Sequence, residues 1–136
     1  MADYYGSNIR EATDSERKFF LSKPQVGGYA SPDNFIVLNP FSTLLPKEQE
    51  SVARNEGLRI ALRKYPELQP KFELTPEQQK AFSAYSKNPQ DVKNTVFARI
   101  ITGDPSAKAT QEQSVYANLL HEMLLEEIKT TDKTSR

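Results

Sequence analysis

His121 and Glu122 come nearest in this chain to a reaction centre. The segment HEMLLEE opens like the H-E-x-x-H helix of zinc proteases, where two His one turn apart hold the metal and the Glu serves as general base. Position 125 is Leu and the chain has a single His, so the second ligand is missing. One His with Glu122 and Glu126 makes a poor substitute for the tetrahedral donor sets zinc takes, and a solvated helix flank is the reading these residues favour. The neighbouring carboxylates Glu126 and Glu127 do not form an acid/base pair, because adjacent helix positions point apart. TGDPSAKAT, residues 102–110, lacks the Gly-Lys-Ser/Thr ending of a phosphate loop and reads as a helix stop at Gly103 followed by a surface connector. A hydrolase needs a nucleophile, a base and a group that orients the base, and no G-x-S-x-G segment supplies one. No enzyme, cofactor or metal is expected.

Binding residues are easier to find. Arg54, Arg59 and Arg63, with Lys64, lie on one predicted helix, and Arg59 and Arg63 are one turn apart on one face. They are the best nucleic-acid contacts in the chain. Glu48, Glu50 and Glu56 on the same helix offer intrahelical pairs that cancel most of the potential, so a salt-laced surface is favoured and nucleic acid is not expected as a partner. A second set consists of Tyr4, Tyr5, Ile9, Phe19, Phe20, Tyr29, Phe35 and Phe41, large anchors spaced along an otherwise polar strip. An extended peptide docks in successive pockets of a partner chain through such anchors. The same residues serve equally to wrap the arm on its own helices and complete a small core.

Composition narrows the classes. In 136 residues, 18 Lys plus Arg balance 18 Asp plus Glu, so no net field steers the chain to nucleic acid, an anionic membrane or an acidic substrate. With no Cys there is no disulfide or thiolate chemistry. The start MADYYGSNIR has no apolar core of a signal peptide, and no apolar run reaches the roughly 18 residues of a membrane span. An intracellular or virion context is expected, with protein chains as partners.

The elements that position these residues fall into three parts: an arm over 1–45, a helical body over 46–129 and a polar tail over 130–136. Within the arm, Thr13 or Asp14 caps a short helix through Leu21, and Phe35 to Leu38 is an apolar run between Pro32 and Pro40 that reads as a plug rather than a strand, since no partner strand is visible. Helix starts in the body are marked by Pro46 with Glu48, by Thr75, Pro76 and Gln78, by Asn88 and Pro89, and by Thr110 and Gln113. They predict helices over 46–64, 76–87, from Asn88 to before Gly103, and over 111–129. Gly57, inside the first of these, is expected to let another backbone come close. The predicted core is Leu62, Phe82, Tyr85, Val92, Val96, Phe97, Ile100, Val115, Leu119, Leu120, Met123 and Ile128. The fold expected is all-α: a small irregular bundle of three to four helices with an extended N-terminal arm.

NPFSTL followed by EQESVARNEGLRIALRK, and the later ITGDPSAKATQEQ, resemble small uncharacterised proteins encoded by tailed bacteriophages. The resemblance covers about half the chain, names no functional residue, and implies a virion component or accessory factor. Taken together, these readings lead us to expect a non-catalytic structural or interaction subunit of a larger assembly, docking through its arm. The alternative is a free helical regulator that binds an enzyme or nucleic acid through the Arg-bearing face of helix 46–64.

Overall fold

The computed structural model describes residues 4–84 and 88–134, with side chains described as far as Thr130. Among them are five α-helices: α1 (Asp14–Ser22), α2 (Pro46–Lys64), α3 (Pro76–Phe82), α4 (Pro89–Ile101) and α5 (Gln111–Thr134). Three short strands, β1 (Ile9–Arg10), β2 (Gly28–Ala30) and β3 (Ile36–Leu38), form one sheet in the order β1-β3-β2. The fold is mainly helical, and the sheet corrects the all-α expectation. The chain divides into two compact units, Met1–Ala61 and Leu62–Arg136, the division falling within α2.

In the first unit, the apolar run expected as a plug is the central strand. β3 pairs in parallel with β1, Ile9 opposite Ile36, and antiparallel with β2, Tyr29 opposite Val37. Its partners are only two and three residues long, too short to carry an alternating pattern, which is why they are invisible in the sequence. The β2–β3 turn is set by SPDN: Ser31 N–H donates to the Phe35 carbonyl at 2.9 Å, Phe35 N–H donates to Ser31 Oγ at 2.9 Å, and Asn34 takes φ +65°. Asn tolerates that left-handed region better than most residues. The residues expected as an extended arm thus fold together with the first part of α2. Ile36, Ala53 and Ile60 form a buried cluster, with Tyr4, Ala30 and Leu38 packed against it.

Gly57 does allow a close backbone approach. A Cβ there would sit 2.6 Å from the Tyr4 carbonyl oxygen, closer than any side chain tolerates. Gly57→Ala is therefore expected to lower stability by about 1–3 kcal/mol, although Ala in an exposed helix would gain up to about 1 kcal/mol over Gly. The urea midpoint checks this, and a midpoint that rises would show that Tyr4 moves aside freely.

In the second unit, capping chemistry sets the helix starts as expected. Thr75 and Gln78 form a full capping box on α3 with Pro76 in the first turn, and the Asn88 side chain accepts from Gln90 N–H at α4. Gly103, at φ +77°, follows α4, with its N–H donating to the Ile100 carbonyl at 3.1 Å. The core joins Phe82, Val92, Val96 and Ala107, with Phe72, Leu74 and Ile100 packed against them. Ala107 belongs to a 3-10 turn, Pro105–Ala107, so the connector expected at the surface contributes a buried residue.

Several core assignments need correction. Leu62, Phe82, Val92, Val96, Phe97 and Leu120 are buried, but Val115, Leu119 and Met123 are exposed, while Ile100 and Ile128 are half-buried. The apolar residues of α5 spread well beyond the stripe of roughly 100° that a core-facing helix typically buries, so one neighbour does not cover them all. α3 ends at Phe82 rather than residue 87, and Tyr85 lies outside the described residues. The expected polar tail is helical as far as Thr134, since a long helix propagates at little cost through Lys and Thr.

Candidate protein-docking surface

The aromatic anchors of the N-terminal residues divide between core and surface. Phe20 is fully buried and Tyr5 nearly so. Tyr4 packs half-buried on the Ile36 cluster, and Phe35 lies half-buried with the Arg10 guanidinium 6.0 Å from its ring centre. Phe19 and Phe41, 44% and 39% exposed, remain open to a partner, as does the aliphatic anchor Ile9 at 44%. Tyr29, half-buried, donates its hydroxyl proton to the Glu16 carboxylate.

That bond is part of a polar cluster that ties α1 to the sheet. Arg10 donates to both Glu16 carboxylate oxygens, at 2.7 and 2.9 Å, and to both oxygens of Asp33, at 3.2 and 3.3 Å. Glu16 also accepts from Thr13 N–H at 2.8 Å, completing the α1 capping box, and Ser31 Oγ–H donates to Asp33. Hydrogen bonds from Arg10, then from Tyr29 and Thr13, hold the Glu16 carboxyl well below the usual carboxylate range. Burial, reinforced by Glu16, pushes the Tyr29 hydroxyl up. Perturbed groups of this kind mark functional sites when they face a cleft with bonding capacity to spare. Here each group is engaged by its neighbours, and the cluster is a structural clasp.

The Arg face of α2 is also ion-paired. Arg54 meets Glu50 at 3.1 Å and Arg59 meets Glu56 at 3.7 Å, while Arg63 lies exposed in the last turn. The first two arginines therefore face carboxylates of their own helix, which lowers the potential available to a phosphate backbone.

His121 is half-buried on α5, and burial lowers its pKa, partly opposed by Glu122. Among the described residues no three His, Asp or Glu side chains gather so as to hold a metal ion. Because the folded imidazole binds its proton less readily than the unfolded one, its contribution to stability is complete above pH 6.5 and is lost as pH falls through the lowered folded value. Glu16 contributes in a more acid window: its stabilisation is present above about pH 4.5 and is lost as pH falls toward its depressed folded pKa. Stability measured by urea unfolding against pH is thus expected to fall in two stages, and His121→Gln to remove the first only. A profile unchanged by that substitution would count against a buried neutral imidazole.

The feature that sequence reasoning misplaced lies on α5. Gln113, Ala117, Leu120 and Leu124, spaced by four, three and four residues, form its buried row. Val115, Leu119 and Met123, spaced by four, form a second row that is 55%, 60% and 56% exposed. At about 100° per residue, Leu119 points roughly 120° away from the centre of the buried row, so one packed neighbour cannot cover both. Beside the exposed row lies an open cleft of about 370 Å³. Its floor is formed by Tyr116, Leu119, Leu120 and Met123, and its far wall by Glu67, Leu68, Gln69 and Lys71. The wall is held in place by Tyr116, whose hydroxyl accepts from Lys71 N–H at 3.0 Å and whose ring meets Phe72 edge-on at 5.8 Å. The signal was present in the sequence as the unusual breadth of the α5 apolar face, which periodicity alone does not divide into covered and open halves.

No protein-family model, curated protein or solved structure matches this chain. No helix among the described residues is long and apolar enough to cross a membrane.

Proposed function

We propose that this protein is a non-catalytic interaction subunit that joins a larger assembly by docking the open apolar face of α5 on a partner chain. The virion implied by the sequence resemblance is one such assembly. The observation that carries the reading is the row Val115, Leu119 and Met123, each more than half exposed, running beside an apolar cleft. Burying a Val, Leu or Met side chain fully is worth about 1.5–3 kcal/mol, so this row offers association energy that the isolated chain does not use. Docking moves accordingly from the N-terminal anchors, where Tyr5 and Phe20 already serve the chain's own core, to α5, with Phe19 and Phe41 as secondary contacts. The regulator alternative, acting through Arg54, Arg59 and Arg63, has less support, because Arg54 and Arg59 are ion-paired on their own helix.

The test is the state of the chain in extracts of its native source. The wild-type protein is expected to migrate in a complex well above 15.4 kDa, and Leu119→Lys with Met123→Lys to release it without loss of helicity or lowering of the thermal midpoint. A wild-type chain that runs as a monomer, or a complex that survives both substitutions, would overturn the reading.

A further inference from the structure

The charge around the open face of α5 identifies the kind of partner it fits. Glu112, Glu122, Glu126 and Glu127 are exposed, and the first Lys or Arg along α5 is the exposed Lys129, three residues past Glu126, so the described side chains of the helix carry four carboxylates against one cation. Glu112 and Glu126 lie seven residues before and seven after Leu119, within about 20° of its direction, so the apolar row runs into a carboxylate at each end. In the cleft wall, Glu67 and Lys71 offset each other.

A second copy of the chain meets this face badly. Two antiparallel α5 helices centred on Leu119 set Glu112 of each opposite Glu126 of the other, and two parallel ones set each glutamate against itself. Like charges at the flanks of a helix pair oppose association and disfavour that pairing. An anionic lipid surface is disfavoured for the same reason.

Resting on the docking role proposed above, we propose that the α5 face takes an amphipathic helix of a different chain, whose apolar row is flanked at both ends by Lys or Arg. The row supplies the buried contact, and Glu112 and Glu126 select the partner by charge and fix its register.

The experiment titrates the full chain with two labelled synthetic helical peptides, followed by fluorescence anisotropy. Both carry the same Leu row at spacings of four, one flanked by Lys and the other by Glu. The Lys-flanked peptide is expected to bind about tenfold more tightly at low salt, with the difference shrinking at high salt. Glu112→Lys with Glu126→Lys is expected to reverse the preference, and Leu119→Asp to abolish binding of both peptides. Equal binding of the two peptides that Leu119→Asp abolishes would overturn the charge selection while leaving the docking face standing. Absence of binding, or binding indifferent to Leu119→Asp, would overturn the docking face as well. Light scattering showing a wild-type dimer that Leu119→Asp converts to a monomer would assign the face to a second copy instead.

Discussion

Phe20→Ala is expected to cost about 3–5 kcal/mol of stability, the range for emptying a fully buried Phe site. Phe20 is the buried residue of the nine-residue α1 and has no exposed surface. Its ring meets Phe19 at 5.5 Å and Tyr29 at 6.1 Å, both edge-on, so it joins the helix to strand β2. A helix this short is marginal in water and persists through such packing. Natural domains are stable by only about 5–15 kcal/mol, so the variant is expected to lie near the edge of folding. Chemical denaturation gives the magnitude, and hydrogen exchange is expected to show the loss in residues 14–38. Phe19→Ala, at an exposed position, is expected to cost less than about 1 kcal/mol. An unchanged midpoint for Phe20→Ala, with weaker association instead, would restore the reading of Phe20 as an anchor for a neighbour. For the same reason, removing residues 1–41 is expected to damage α2, since Ala53 and Ile60 cluster with Ile36 and a Cβ at position 57 would strike the Tyr4 carbonyl.

Gln78→Leu is expected to cost about 2–4 kcal/mol. The Gln78 and Gln113 amides bond reciprocally, Gln78 Nε2 to Gln113 Oε1 at 2.7 Å and Gln113 Nε2 to Gln78 Oε1 at 2.9 Å. Each oxygen also accepts its own N-cap amide, from Thr75 at 2.9 Å and Thr110 at 3.1 Å. The remaining amide protons reach the carbonyls of Ala107 at 3.0 Å and Glu73 at 2.9 Å. Both side chains are buried, so Gln78→Leu takes from Gln113 one amide donor bond and one accepted bond, and takes from Thr75 N–H and the Ala107 carbonyl their bonds to Gln78, at about 1–3 kcal/mol for each group left unsatisfied. The double variant Gln78→Leu, Gln113→Leu is expected to cost less than the sum of the singles, with a coupling of about 1–3 kcal/mol in a double-mutant cycle. Additive costs would show that the two amides act independently. The similar start of α2, where Glu48 accepts from Leu45 N–H at 3.0 Å, is exposed, and Glu48→Ala is expected to matter less.

Capping is local chemistry, and it made the starts of α2 to α5 legible from Pro46, Thr75, Asn88 and Thr110, together with the stop at Gly103. Gly57 was legible as a close approach because a glycine inside a helix needs a reason, although the sequence did not say which backbone comes near. That HEMLLEE lacks the second His of H-E-x-x-H was likewise legible, since it depends only on Leu125 and the single His. The tertiary structure alone decided the rest. It paired a two-residue strand with one 27 positions along the chain, Ile9 with Ile36, and joined two capping glutamines 35 residues apart. It sent Phe20 inward while leaving Phe19 exposed, and it covered one apolar row of α5 and left Val115, Leu119 and Met123 open. Local sequence sets which way each side chain points on its own element, but burial requires a second surface, and that surface is made by residues distant in the chain.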